Sequence, residues 1–366
     1  MKIVYLNHDF HPNTGAGRFG RALISGIKLA CPDLDLQLLS SEADPDSQFP
    51  SRSLLPSNRF RLLLTFSKIR AIIKNGDLIH ALDGWPYGFI AALASFGLKK
   101  RLIITAIGTG AVKPLYSPIK RALLGWAYRR ADQLTAISNN TKREILKIFP
   151  DLKIEVINHG VDNDKFQISN FKAQTNSEFQ KLKPYILSVG ALKKRKGLEY
   201  SIRAFAEISK NFPSLRYLIF GKGDEYKNLR SLSESLGVSN RVEFLSYALN
   251  RHISDEELVD LYKNAELFIL LPQDFKKDIE GFGLVFLEAA AAGLPVIGAS
   301  GTSAEDAILD NQNGFLVDGG NPKVVAEAIS KILNFPETKL RFQKKSIEFA
   351  RSMDWKNKVQ QYLKLY

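Results

Sequence analysis

Glu280 and Glu288 stand eight positions apart in the stretch Glu280-Gly281-Phe282-Gly283-Leu284-Val285-Phe286-Leu287-Glu288, which runs on through four alanines to Gly293. A carboxylate accepts hydrogen bonds from paired hydroxyls, as sugar rings present them. Glycines on both sides of Phe282 let backbone N–H groups come close to a ligand, and the helix start that follows favours negative charge. Phosphate, sugar hydroxyls and ribose hydroxyls held in one compact site would make a nucleotide-sugar pocket. An isolated pair of glutamates is more commonly a helix-start charge and a surface side chain, so the neighbouring sequence has to decide.

Gly190-Ala191-Leu192-Lys193-Lys194-Arg195-Lys196-Gly197 sets four consecutive cations between a strand and a helix start. Such a run is poorly placed for a core and well placed for a diphosphate, Lys being a compact charge and Arg a fork that fits phosphate oxygens. A solvated basic loop is the competing reading. Near the N-terminus, Gly15-Ala16-Gly17-Arg18-Phe19-Gly20 fits Gly-x-Gly-x-x-Gly, and Asp35 lies near the spacing at which a dinucleotide site places an acid. In that motif glycine follows its strand directly. Here the strand ends near Leu6, and His8-Asp9-Phe10-His11-Pro12-Asn13-Thr14 intervene. Gly15 and Gly17 therefore read as a loop that approaches a ligand held mainly by another domain, with a dinucleotide-dependent oxidoreductase kept as an alternative.

The elements that must position these residues alternate. Apolar strand-like runs at 2–7, 35–40, 77–81, 102–107, 133–137 and 154–158 are separated by helical patterns at 19–30, 59–74, 86–96, 117–130 and 140–148. Continuous apolar strands between helices predict βαβ units and a parallel sheet. The pattern restarts with strands at 185–190, 215–220, 241–245, 266–271 and 294–298 and helices at 197–211, 224–236, 255–263 and 284–292. The spacing predicts an α/β protein of two doubly wound domains: 1–166, a polar linker 167–183, and 184–345. Ligands are expected at the strands' C-terminal ends. An amphipathic tail, 339–366, has Phe342, Phe349, Trp355, Val359 and Tyr362 as its buried positions.

A chain of 366 residues exceeds what one core usually fills. Hydrophobic content of 45% and charged content of 24% are ordinary for a globular protein. The single cysteine, Cys31, excludes an intramolecular disulfide and fits a reducing compartment. The N-terminus enters a strand without a signal-peptide apolar core, and the most apolar long segment, 282–299, carries Glu288, three glycines and Pro295. Neither reads as an export or membrane-spanning segment, so a cytoplasmic protein is expected. Of the net charge of +13, residues 1–165 carry +9. An anionic partner is implied. Nucleic acid is not expected, because no binding motif or basic-aromatic strand face accompanies the charge.

Taken together, these motifs resemble the retaining glycosyltransferases of family 4, which have the GT-B fold: two Rossmann-like domains facing across a cleft. The glycine loop, the Gly-x-Leu-x-x-Arg-Lys-Gly loop and Glu-x7-Glu occur in that family's order. So do Ser138-Asn139-Asn140-Thr141-Lys142, Ile157-Asn158-His159-Gly160-Val161-Asp162 and Gly221-Lys222-Gly223. The resemblance implies that Glu280 binds hydroxyls of the donor sugar and that Gly281, Phe282, Gly283 and Leu284 hold the diphosphate through backbone N–H groups. Glu288 would take the ribose hydroxyls, while Arg195 and Lys196 neutralise the departing diphosphate. Gly15 and Gly17 would close over it, and a C-terminal helix, 346–366, would cross back to the N-terminal domain. The implied reaction moves a hexose from a nucleoside diphosphate to an acceptor hydroxyl of a glycan or lipid-linked glycan with retained configuration. It needs no cofactor and no metal; Asp33-Leu34-Asp35 and Asp44-Pro45-Asp46 are read as turns. A GT-B protein that binds or epimerises a nucleotide sugar without transferring it is the alternative.

Three positions depart from the family pattern. Ala191 replaces an Arg, Ile107 replaces a His near the reacting sugar, and His159 replaces an Asn. On the acceptor side, His80, Asp83, Gly108 and Thr109 follow strands in the N-terminal half and are placed against the acceptor. Helix 59–74, with Arg59, Arg61, Lys68, Arg70 and Lys74, and segment 113–130, with Trp126 and Tyr128, combine cations with apolar faces. Such segments suit an anionic membrane surface and a peripheral position on its inner face.

Overall fold

The computed structural model describes residues 1–11, 14–42, 51–55, 59–167, 179–251, 253–275 and 277–366, without the side chains of 59–63 and 167. The chain divides into two compact units, Met1–His159 with Trp355–Tyr366, and Gly160–Asp354. It changes unit at His159/Gly160 and again at Asp354/Trp355, where the sequence reading placed the changes at 166 and 346. Of the expected linker, residues 168–178 lie outside the described residues, as do Asp44-Pro45-Asp46 and the side chains of Arg59 and Arg61.

Among the described residues, the first unit is built on seven strands: β1 (Lys2–Leu6), β2 (Asp35–Ser40), β3 (Ser51–Ser53), β4 (Leu78–Leu82), β5 (Arg101–Ala106), β6 (Gln133–Ala136) and β7 (Glu155–Val156). Their order is β3-β2-β1-β4-β5-β6-β7, and every pairing is parallel. β4 is buried along its whole length, as expected of a parallel strand with helices over both faces. Strand order reverses between β1 and β4, which opens a crevice at their C-terminal ends. Of the first Asp-x-Asp, Asp33 lies in a turn, and Asp35 opens β2 and pairs with Lys2 at 3.3 Å.

The helix Gly15–Ala30 begins where Thr14 accepts a hydrogen bond from the Gly17 N–H at 2.9 Å, and it buries Phe19, Leu23, Ile24 and Ile27. The helix Trp355–Leu363 packs on it. A Cβ on Gly26 would meet Val359 Cγ2 at 2.4 Å, so glycine sets how closely the two helices approach. The predicted tail is two helices, Pro336–Ser352 and Trp355–Leu363, and the break between them coincides with the change of unit. Phe342, Val359 and Tyr362 are buried, whereas Phe349 and Trp355 are half-buried.

Among the described residues, the second unit has six strands: β8 (Tyr185–Val189), β9 (Arg216–Phe220), β10 (Val242–Phe244), β11 (Leu267–Ile269), β12 (Val296–Ala299) and β13 (Gly314–Val317). They run in the order β10-β9-β8-β11-β12-β13, again all parallel. β3 and β13 were not anticipated. Here the order reverses between β8 and β11. Among the described residues, no helix is long and apolar enough to cross a membrane.

Candidate functional site

The reversal point of the second sheet gathers the charged residues singled out in the sequence. The loop after β8 carries Arg195 and Lys196 in the turn Lys194–Lys196, and the loop after β11 carries Asp278 and Glu280. Lys196 Nζ lies 2.8 Å from Glu280 Oε2, and Arg195 Nη1 donates to the same oxygen. Arg195 Nε also faces Asp278 Oδ1 at 3.4 Å. The Lys196 side chain is 8% exposed and that of Glu280 12%. A cluster of two cations and two carboxylates thus sits where open α/β sheets bind ligands.

Backbone contacts fix this cluster. The N–H of Gln273 donates to the Arg195 carbonyl at 2.8 Å. Gly197 has φ +64° and its Cβ would lie 1.8 Å from the Leu271 carbonyl oxygen, so only glycine lets the two loops meet. On the other side, Leu192 N–H donates to the Lys222 carbonyl at 3.0 Å. Burial works against ionising Glu280, but Lys196 and Arg195 outweigh it and hold the carboxyl below its usual range.

Gly281, Phe282 and Gly283 lead into the helix Leu284–Ala291. Gly283 sits at its N-cap with φ +82° and without a side-chain cap, and its carbonyl accepts from the Phe286 N–H at 2.9 Å. Glu288 is buried in that helix and accepts a hydrogen bond from the Tyr262 hydroxyl at 3.0 Å. The sequence reading missed Asp278 and Tyr262. Asp278 lies in a mixed loop with no period, and Tyr262 belongs to a helix 26 residues away that gave no sign of facing Glu288.

The first unit treats its candidates differently. His80 is wholly buried in β4 and both ring nitrogens are engaged, Nδ1 with the Tyr366 hydroxyl at 2.8 Å and Nε2 with Thr105 Oγ1 at 2.7 Å. Burial lowers its pKa to about 3, so the ring is neutral. His80 is therefore a core residue and does not face an acceptor; the correction follows from its position inside the central strand. Asp83, just past β4, has φ +147° and accepts from Gly84 N–H at 2.6 Å and from Ile107 N–H. Burial raises its pKa to about 7, only partly countered by those two bonds. Gly108 has φ +54°, and Thr109 begins the short helix Thr109–Val112 beside it. A Cβ on Gly110 would strike Asp83 Oδ2 at 1.9 Å, which places that carboxylate against the same turn.

At the N-terminal loop, a Cβ on Gly17 would lie 2.1 Å from the His11 carbonyl oxygen. Its small size is used by the protein's own loop. Among the described residues, nothing lies within 4 Å of such a Cβ on Gly15. His8 Nδ1 and the Tyr87 hydroxyl, 2.7 Å apart, join the loops after β1 and β4. His159, standing where the resemblance has Asn, packs between Phe19 and Trp355, with ring centroids 5.4 and 5.0 Å away.

Comparisons with known proteins agree with this architecture. Residues 170–349 match the model of glycosyl transferases group 1, and residues 28–165 match that of glycosyltransferase family 4. The D-inositol 3-phosphate glycosyltransferase of Corynebacterium glutamicum is 30% identical over 312 residues, 79% of this chain and 72% of that protein. A relative in Mycolicibacterium smegmatis, the GDP-mannose-dependent alpha-(1-6)-phosphatidylinositol monomannoside mannosyltransferase, is 30% identical over 224 residues. That covers 60% of this chain and 57% of the relative, little more than half its length. The crystal structure of Anabaena Alr3699/HepE in complex with UDP and glucose superposes with a TM-score of 0.79 at 20% identity, covering 100% of this chain and 99% of that one.

Proposed function

The chain belongs to the glycosyl transferases group 1 family and has the GT-B fold, and on that premise we propose that it moves a hexose from a nucleoside-diphosphate sugar to an acceptor hydroxyl with retained anomeric configuration. The observation that carries this reading is the cluster of Arg195, Lys196 and Glu280 at the β8/β11 reversal point. Relatives named for GDP-mannose-dependent transfer support the donor class.

In this reading the donor's diphosphate takes a place beside Arg195 and Lys196, whose charges stabilise it as it departs. With Ala191 where the family pattern has Arg, this work falls to these two of the loop's four cations. Their contacts with Glu280 hold that carboxylate ionised, with lone pairs left to accept from sugar hydroxyls. N–H groups from Gly281 to Leu284 face the phosphates, and Glu288, oriented by Tyr262, accepts from the ribose. Within the first unit, Asp83, Gly108 and Thr109 are assigned to the acceptor. The acceptor is a glycan or lipid-linked glycan met at an anionic membrane face, and no metal takes part.

A thermal-shift screen against nucleoside diphosphates and nucleotide sugars, in chelator, tests this. A ligand that binds only the folded state at a hundred times its Kd adds about 2.7 kcal/mol of stability. A rise in Tm with one nucleotide family, lost in Lys196→Ala, is expected, followed by anomer-retaining product with a hydroxylic acceptor. No shift with any nucleotide would remove the proposed site. Epimerised sugar with no transfer would replace the reaction.

A further inference from the structure

Between Gly84 and Ala131 the sequence has eight Lys and Arg and no Asp or Glu. That segment includes two neighbouring helices of the first unit, Phe89–Ala94 and Pro118–Arg130, with β5 between them; of its cations, Arg129 is paired with Asp151 at 2.9 Å. Ile119, Leu123, Trp126 and Arg130 recur at spacings of four, three and four, which puts them on one helical face. Trp126 touches Phe89 and Phe96, with ring centroids 6.2 and 6.1 Å apart, and Trp85 stacks on Phe89 at 5.5 Å. These apolar groups are not hidden: Ile119 is 75% exposed, Phe96 59% and Leu93 41%. Cations rest directly on the rings, Lys120 over Trp85 at 5.7 Å and Arg130 over Phe96 at 5.6 Å. Lys113 and Arg121 are exposed on the same segment.

We propose that this face, from Leu93 and Phe96 across to Ile119 and Leu123, is the surface by which the protein docks onto an anionic phospholipid bilayer. Aromatic rings and aliphatic tips enter the headgroup boundary, while the surrounding lysines and arginines meet lipid phosphates. The charge pattern selects this occupant. A second copy of the chain would bring the same carboxylate-free segment against itself, and like charges across an interface oppose association. The inference locates the membrane contact on these two helices, where the sequence had pointed equally to 59–74. It rests on the proposed function only for the acceptor's being at the membrane, since binding is read without any sugar donor.

The test is co-sedimentation of the full chain with vesicles of phosphatidylcholine alone and of phosphatidylcholine with phosphatidylglycerol. Expected is binding to the anionic vesicles, weakened by salt. Lys120→Glu with Arg121→Glu should lower the partition coefficient roughly thirtyfold or more. Ile119→Ser with Leu123→Ser should weaken it at unchanged charge. Both pairs lie on the surface, so an unchanged Tm separates lost docking from lost folding. Equal binding to both vesicle types, no binding at low salt, or a concentration-dependent dimer abolished by the Ile119/Leu123 pair would each overturn the proposal. Failure of vesicle binding with intact sugar transfer in solution would remove the docking face and leave the proposed reaction standing.

Discussion

Replacing Glu280 by glutamine keeps the shape of the side chain and removes its charge from between Arg195 and Lys196. At the observed 2.8 Å from Lys196, an effective dielectric of ~20 gives a gross attraction of about 6 kcal/mol. Desolvation offsets much of that, and removing one member of a buried pair costs ~3–5 kcal/mol. Arg195 keeps Asp278 at 3.4 Å, and the amide oxygen of glutamine still accepts from Lys196. The loss should therefore fall at or below the low end, about 2–3 kcal/mol. For a unit the size of Gly160–Asp354, each kcal/mol shifts Tm by ~2–4 °C, so a fall of roughly 5–10 °C is expected by calorimetry. The informative assay is a cycle of Glu280→Gln, Lys196→Met and the double variant at one pH. Removal of both charges should recover part of the loss, with a coupling of about 2 kcal/mol. In the same variants, sugar transfer by Glu280→Gln should drop ~100–1000-fold, while nucleoside diphosphate still binds. Single losses that add to within about 0.5 kcal/mol would refute the idea that these charges act as one unit.

Asp83→Asn tests the buried carboxylate. Because burial raises the folded-state pKa to about 7 from 3.8, the folded form prefers the proton. That contribution is full below about 4 and is lost as pH rises through about 7. Tm of the variant measured from pH 5 to 8 should be flatter than that of the wild type, and matching slopes would show that Asp83 does not titrate in this window. His80 works in the opposite sense: its pKa is lowered to about 3, so its contribution is present above about 6.5 and fades as the solution turns acid. Tyr366→Phe removes the hydroxyl that lies 2.8 Å from both Tyr5 Oη and His80 Nδ1. Two buried polar groups lose a partner, and chemical denaturation should report a loss of ~1–3 kcal/mol; no loss would mean that this network is not stabilising.

Much of the scaffold was legible because long apolar strands separated by helices carry two periods that do not mimic each other. β1, β2 and β8 begin at the residues predicted. What escaped were Ser51–Ser53, a polar Ser-Arg-Ser without an apolar run, and Gly314–Val317, a short stretch that opens on glycine. Cations and carboxylates in the second unit could be picked out because four basic residues in a row, and two glutamates on either side of a Gly-Phe-Gly turn, have few reasons to sit together. Their partners could not. Nothing in the spacing brings Asp278 to Arg195 or Tyr262 to Glu288, since those contacts depend on which strands are neighbours. His80 misled for the same reason. A histidine in an apolar strand is ambiguous until the hydroxyls of Thr105 and Tyr366, distant in sequence, are seen to satisfy both of its nitrogens.

The first unit is discontinuous in the chain, and its last twelve residues carry Val359 against Gly26 and Tyr366 against Tyr5 and His80. A ribosome must therefore make all of Gly160–Asp354 before the first unit can close its core. At ~5–20 residues per second this is a wait of roughly 10–40 s. During that time the face of Gly15–Ala30 that receives the last helix is uncovered, so the nascent protein is open to chaperones and to mispairing. The unit made second in the chain is the first that can finish folding.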